Sequence, residues 1–311
     1  MQKNDRIYVA GHNGMVGSAI VRALRKRGFQ NLIIASRQEL DLRDKLKVES
    51  FFNKTKPDYV ILAAAKVGGI KANIQFPVEF LYENLLIQNN VIRCSYESRI
   101  KKLIFLGTSC VYPAQCQQPI KEEYLLTGPL EPTNEGYALA KIAGLKLAQY
   151  FYKEYGMECL CPIPCNLYGQ KDSFDPDNSH VLSALVKKFV DAVDEDKKNV
   201  TIWGSGRARR EFMHVDDLVD ALLLLIDKWQ GPEIINVGSG TDIAIKDLAK
   251  LIATKTKYTG SVTWDTTMPD GMMQKCLDVS KLNSLGYKQR ISLETGIEGV
   301  IQEYKQIKKY T

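Results

Sequence analysis

The 311-residue chain has no apolar run near the ~18 residues that cross a bilayer; its longest clean stretches are Val60–Ala65 and Ala221–Ile226. It has no internal repeat and no low-complexity linker, which excludes a solenoid or a string of tethered modules. It has no one-sided charge either: 42 Lys and Arg against 36 Asp and Glu leave a formal charge of +6. The bases fall in short scattered clusters at Arg25–Arg27, Lys101–Lys102, Lys197–Lys198 and Lys308–Lys309. A nucleic-acid surface concentrates its cations on one element, so none is expected, whereas a small polyanion such as a nucleotide diphosphate suits the mild excess. No secretory leader is seen, and seven cysteines cannot all pair; reduced thiols and a cytoplasmic location are expected. Cys159, Cys161 and Cys165 crowd together without a nearby His and fit no familiar zinc spacing, so no metal is expected.

What is present is ordinary globular material, 45% hydrophobic and 25% charged, which excludes disorder and collagen. The length suits one compact two-part unit. Short apolar segments at Ile7–Ala10, Asn31–Ser36, Asp58–Ala65, Lys102–Gly107 and Glu158–Leu167 read as strands. They alternate with helical patterns at Met15–Arg27, Asp44–Asn53, Phe76–Ser98 and Glu135–Tyr155. That alternation predicts an α/β fold of Rossmann type, a doubly wound parallel sheet covered on both faces. After Gly169 the rhythm breaks. An irregular loop at Lys171–Ser179 is followed by helices at His180–Val193, Asp216–Asp227 and Asp247–Thr256 and strands at Val200–Trp203 and Glu233–Val237. We expect residues 1–170, with 212–238 returning to them, to bind a dinucleotide. Residues 171–211 and 239–311 are expected to form a smaller, interleaved substrate lobe, with a cleft between the two.

Gly11, His12, Asn13, Gly14, Met15, Val16 and Gly17 lie between the first strand and the first helix. Glycines there permit a tight turn and close backbone approach to a pyrophosphate resting on the helix N-terminus. NAD binders usually end the second strand with an acid for the ribose 2′-hydroxyl. Here it ends Ala35, Ser36, Arg37, and Arg37 can pair with a 2′-phosphate, which favours NADP(H). Asp41 and Leu42 are placed to contact the adenine.

Tyr137 and Lys141 stand one helical turn apart on one face. A nearby cation lowers a phenol pKa, so Tyr137 is expected to exchange a proton with a carbonyl oxygen near neutral pH. Tyr304 and Lys308 repeat the spacing in a charged tail, where an exposed helix face is the expectation. The strand before Tyr137 ends Leu106, Gly107, Thr108, Ser109, Cys110, and hydroxyls at the carboxyl end of a parallel strand point into the ligand crevice.

Thr108, Tyr137 and Lys141 resemble the hydroxyl–Tyr–Lys triad of the short-chain dehydrogenase/reductases, in their extended, sugar-nucleotide branch. Trp203–Gly206 and Arg210–Asp217 are similar to later signatures of that branch. Gly11–Gly17, Ala63–Ile70, Ser109–Pro113, Glu131–Tyr137 and Asn178–Val181 narrow the resemblance to the GDP-L-fucose synthases, over about Lys3 to Tyr304. The resemblance implies epimerisation of a GDP-4-keto-6-deoxy-sugar at C3 and C5 and reduction at C4. It casts Cys110 and His180 as the base and acid of the epimerisation. It assigns the dinucleotide, besides the glycine loop, Ala63, Ala64, Leu106, Gly107, Lys141, Pro164, Asn166, Leu167 and His180. Lys188, Trp203, Arg210 and Asp270 fall to the GDP end, and His214 is read as structural. Thr108 stands where many of these enzymes have Ser, and Asn13 where some have Arg. The resemblance also implies a homodimer built from Phe76–Ser98 and Glu135–Tyr155. Alternative readings are a reductase or epimerase of a related GDP-4-keto-sugar, such as a 6-deoxy-heptose, and a non-catalytic NADP-binding relative.

Overall fold

The computed structural model describes residues 1–175, 179–268 and 270–310. In chain order the first part runs β1 (Ile7–Ala10), α1 (Met15–Lys26), β2 (Leu32–Ile33), α2 (Lys45–Thr55), β3 (Tyr59–Leu62), α3 (Ile70–Gln75), α4 (Pro77–Glu97), β4 (Lys102–Phe105), α5 (Glu135–Tyr155) and β5 (Cys159–Pro164). The chain continues through β6 (Asn166–Tyr168), α6 (Val181–Asp194), β7 (Asn199–Trp203), β8 (Arg209–His214), α7 (Val215–Lys228) and β9 (Ile234–Val237). It ends with β10 (Asp242–Ala244), α8 (Ile245–Thr256), β11 (Ser261–Asp265), β12 (Gln274–Lys275), α9 (Ser280–Ser284) and α10 (Leu293–Tyr310).

The large sheet has the order β2-β1-β3-β4-β5-β9, with every pair parallel. Its inner strands are buried almost throughout, as a parallel sheet covered on both faces requires. Helix α1 packs on α7 and α4 on α5. Strand order reverses between β1 and β3, and ligands of doubly wound sheets bind at such a switch point, beyond the strand carboxyl ends. The glycine loop after β1 and the residues that follow β3 and β4 lie at that edge.

A second apolar core gathers Leu185, Val186 and Phe189 of α6, Leu248 and Ile252 of α8, and Ile297, Val300, Ile301 and Tyr304 of α10. Around it stand a small sheet, β10-β8-β12 with β6 also on β8, and the pair β7-β11. Leu277, Val279, Leu282 and Tyr287 belong instead to the large core, although they fall within the range expected for the smaller lobe.

Three differences from the sequence reading have plain causes. Strand β2 stops at Ile33 because the chain turns at Ser36, whose N–H donates to Glu39 Oε2 at 2.7 Å. The run Glu158–Leu167 is two strands: Cys165 donates its N–H to Val237 of the large sheet, and β6 then leaves to pair with β8. Tyr304 is not on an exposed face. It is 5% exposed, and its hydroxyl meets Lys187 Nζ at 2.7 Å and Asp191 at 3.0 Å, while Lys308 reaches Asp191 and Asp194. The stripe Ile297, Val300, Ile301, Tyr304 turns that side of α10 onto α6, each apolar burial contributing ~1.5–3 kcal/mol. The second Tyr-x3-Lys pair is a latch between two helices.

Candidate active site

The glycine loop divides its labour. Gly11 has φ +85, and a Cβ there would lie 2.7 Å from the Ala64 nitrogen, so glycine lets the ends of β1 and β3 touch. A Cβ on Gly17 would meet the Gly11 carbonyl oxygen at 2.1 Å, which seats α1 against the loop. Gly14 is different: its Cβ would meet nothing nearer than that oxygen at 3.6 Å. Gly14 is the N-cap of α1, with no side-chain cap and no acid in the first turn. A bare helix N-terminus beside an open glycine fits a pyrophosphate. His12 Nδ1 is buried without a partner, Asn13 is exposed, and Met15 and Val16 pack partly on the large core.

At the other end of this edge, two arginines converge on Glu83 of α4, Arg43 at 3.1 Å and Arg37 at 3.8 Å. Arg43 was not singled out from the sequence. It also holds Asp41 bidentately, at 2.7 Å for the closest pair, and this hydrogen bonding draws the Asp41 carboxyl down to about 2. Asp41 is thus engaged inside the protein. Leu42 is 8% exposed in the large core, with its carbonyl accepting from Asn90. Of the acids near Arg37, Asp41 and Glu83 are paired with arginine, and Glu39 accepts from the Ser36 N–H.

Ala63 and Ala64 follow β3, Leu106 and Gly107 follow β4, and Pro164 ends β5, all at one edge of the sheet. Asn166 donates to the Glu211 carbonyl at 3.0 Å and Leu167 packs against the large core. Lys141 comes from α5 to the same edge and donates to the Leu106 carbonyl at 2.9 Å. Burial draws the Lys141 ammonium down to about 8. Tyr137, one turn before it, lies edge-on to Phe80 at 6.4 Å. Burial pushes its phenol above the ordinary value. This corrects the expectation of a lowered phenol pKa: Lys141 Nζ stands 6.0 Å from the Tyr137 ring centroid and spends its proton on Leu106. The phenol is held protonated at neutral pH, the state of a proton donor.

Thr108 ends the strand segment and caps a short 3₁₀ turn, Ser109–Val111, its Oγ1 accepting from the Cys110 N–H at 3.3 Å. The turn presents Cys110 half-exposed. Its Sγ accepts from Asn134 Nδ2 at 3.4 Å and from Lys275 Nζ at 3.5 Å. The sulfur therefore faces polar donors, and it joins the large sheet to β12 of the small one. His180 is exposed at the N-cap of α6, with no capping bond from its ring. Burial keeps the carboxyl of nearby Asp172 above the usual range. Asn178 lies outside the described residues. His214 caps α7, its Nδ1 accepting from the Asp216 N–H at 3.2 Å.

Of the GDP-end residues, Trp203 is 59% exposed, an open indole face. Lys188 of α6 donates to the backbone carbonyl of Thr201 in β7 at 3.0 Å. Arg210 reaches the Asp270 carbonyl oxygen at 3.3 Å. Asp270 itself accepts from the Ser205 N–H and hydroxyl, both at 2.7 Å, which folds the Gly204–Gly206 loop beneath Trp203. Lys275, which the sequence reading passed over, is in register with Arg210 across β12 and β8.

Residues 7–238 match the NAD dependent epimerase/dehydratase family. GDP-L-fucose synthase 1 of Arabidopsis thaliana is 50% identical over 302 residues, covering 97% of this chain and 94% of that protein. A GDP-6-OMe-4-keto-L-xylo-heptose reductase from C. jejuni superposes with a TM-score of 0.92 at 37% identity, covering 100% of this chain and 99% of that one. A GDP-L-fucose synthetase from Naegleria fowleri, solved bound to NADP, has a TM-score of 0.91 at 28% identity, covering 99% and 96%. The chain belongs to the NAD dependent epimerase/dehydratase family, among the GDP-L-fucose synthases.

Proposed function

We propose that the chain converts GDP-4-keto-6-deoxy-D-mannose to GDP-L-fucose, by epimerisation at C3 and C5 and reduction at C4, with NADPH as the reductant. Residues 1–170 with 212–238 hold the dinucleotide, and residues 171–211 with 239–311 hold the GDP-sugar. The 4-keto group acidifies the protons on both neighbouring carbons. Cys110 removes a proton from one face of the sugar and His180 returns one to the other, so the centre inverts. Tyr137 and Thr108 hydrogen-bond O4 and stabilise the enolate between the two transfers. A reduced nicotinamide held by the dinucleotide-binding residues would supply the hydride for C4. Tyr137, kept protonated by its burial, gives its proton to O4, and Lys141 orients the nicotinamide ribose. Arg37 and Arg43 take the 2′-phosphate, which favours NADPH over NADH. Lys188 and Arg210 meet the diphosphate, Trp203 covers the base or sugar, and Asp270 supports the loop below it.

The observation that carries the reading is the environment of Cys110: its sulfur meets an amide and an ammonium instead of packed hydrocarbon. A thiol kept only for packing would be buried among apolar side chains, as Cys159 and Cys161 are. The presence of Cys110 beside the triad favours the dual epimerase–reductase over a simple reductase of a heptose. Product assignment by NMR with GDP-4-keto-6-deoxymannose and NADPH tests it: GDP-L-fucose supports the reading, and no NADPH oxidation rejects it.

The chain works as a cytoplasmic homodimer in this reading. Val78 and Tyr82 of α4 and Leu139 and Tyr150 of α5 are exposed, Val78 by 75%, and the two helices pack together. Light scattering at micromolar concentration gives twice the chain mass if they bind a second copy, and the chain mass if they do not.

A further inference from the structure

Two contacts on Cys110 have no part in the triad or in the assigned sugar-nucleotide contacts. Lys275 Nζ stands 3.5 Å from the sulfur and Asn134 Nδ2 stands 3.4 Å from it. Both lie downstream of Cys110 in the sequence, Asn134 by 24 residues and Lys275 by 165. Lys275 is half-buried on the two-residue strand β12, whose pairing with β8 sets Gln274 against Arg209 and Lys275 against Arg210. Among the described residues no carboxylate is paired with Lys275, so its charge is directed to the sulfur. The Asn134 carbonyl oxygen is buried with no partner, while its amide donor is spent on a thiol. Neutral donors bind sulfur weakly, and the arrangement gains most when the sulfur is an anion.

We propose that Lys275 and Asn134 are positioning residues for Cys110: they hold its thiolate, and Lys275 supplies the charge that balances it. The inference rests on the epimerase reading above and adds the source of the base. In the step, the C–H bond at the acidified carbon breaks and its electron pair passes to the 4-keto oxygen as an enolate. The proton goes to the Cys110 sulfur, converting thiolate to thiol, and the ammonium of Lys275 keeps its proton throughout. The negative charge moves from sulfur to O4, and Lys275 is released to face it. His180 then protonates the carbon from the other side, and both groups return to their starting states by exchange with solvent.

The experiment measures alkylation of Cys110 by iodoacetamide in the full-length chain, followed by mass spectrometry of its peptide at fixed near-neutral pH. No substrate is present, so this readout stands whatever the chain's reaction is. The thiolate is the species that reacts. Lys275→Met is expected to slow Cys110 alkylation about tenfold or more and Lys275→Arg to restore most of it, the size expected for losing one close charge. Asn134→Ala is expected to slow it less, by a few-fold, as a neutral donor would. Deuterium uptake at C3 and C5 of the keto-sugar is expected to fall in the same order. Circular dichroism and gel filtration identify a variant that has lost its fold, and Lys275→Arg then carries the comparison with the parent chain. Unchanged alkylation in a folded Lys275→Met, with only KM raised, overturns the proposal and leaves Lys275 as a substrate contact. If alkylation falls as expected but the parent chain exchanges no deuterium, the epimerase reading fails while the charge pairing stands.

Discussion

The ammonium of Lys141 donates to the backbone carbonyl of Leu106 at 2.9 Å, although four residues earlier Tyr137 offers a phenol on the same helix face. The bond fixes the lysine across the end of β4, and burial draws its proton affinity down to about 8. Below that pH the group is charged, and above it the charge is lost. Because kcat/KM reports groups of the free enzyme, the account predicts that kcat/KM for NADPH-dependent reduction falls on the alkaline side with an apparent pKa of about 8. Lys141→Arg keeps a cation at all accessible pH and should remove that limb. A pH profile of both forms checks it.

Gly14 and Gly17 separate cofactor affinity from stability. A methyl on Gly17 collides with the Gly11 carbonyl, but one on Gly14 has room within the protein. Gly17→Ala is expected to lower Tm, its cost at least the ~1–3 kcal/mol of overpacking. Gly14→Ala is expected to leave Tm within a degree or two while weakening NADPH binding about tenfold or more, since the methyl stands where the pyrophosphate must approach. Thermal melts and cofactor titration distinguish the two.

Arg37 is 71% exposed, and Arg43 is divided between Asp41 and Glu83. Arg37→Ala should lower kcat/KM for NADPH by about 10–100-fold, the worth of a hydrogen bond between charged groups, and leave that for NADH nearly unchanged. Arg43→Ala also frees the Asp41 carboxylate, so it should narrow the NADPH preference from both sides, weakening NADPH and improving NADH. Steady-state kinetics with the two cofactors checks both.

The sequence makes the large sheet legible because local pattern and tertiary role agree there. Strand β1 and helix α5 lie where their apolar pattern and glycine stops place them. Legibility fails where a residue's role depends on a distant partner. Strand β8 begins Arg209, Arg210, Glu211, which reads as a loop; Glu211 is nevertheless 1% exposed, because the N–H groups of Gly240 and Leu277 satisfy it. Helix α10 carried a usable signal in the i, i+3, i+4, i+7 stripe from Ile297 to Tyr304, masked by its charges. At the candidate site, the loop glycines and the Tyr137–Lys141 pair follow from spacing, whereas Cys110 and His180 emerge only through family resemblance. Lys275 had no local signal at all: a two-residue strand carries it to a thiol 165 positions away.

The most direct measurement is an NMR assignment of the product formed in D₂O from GDP-4-keto-6-deoxy-D-mannose and NADPH, by the parent chain and by Cys110→Ala. The account predicts GDP-L-fucose carrying solvent deuterium at both C3 and C5 from the parent chain. It predicts that Cys110→Ala loses inversion by about 10²–10⁴-fold, the usual worth of a general base. A reduced sugar from the parent chain with its C3 and C5 configuration intact and no deuterium at either carbon would contradict it.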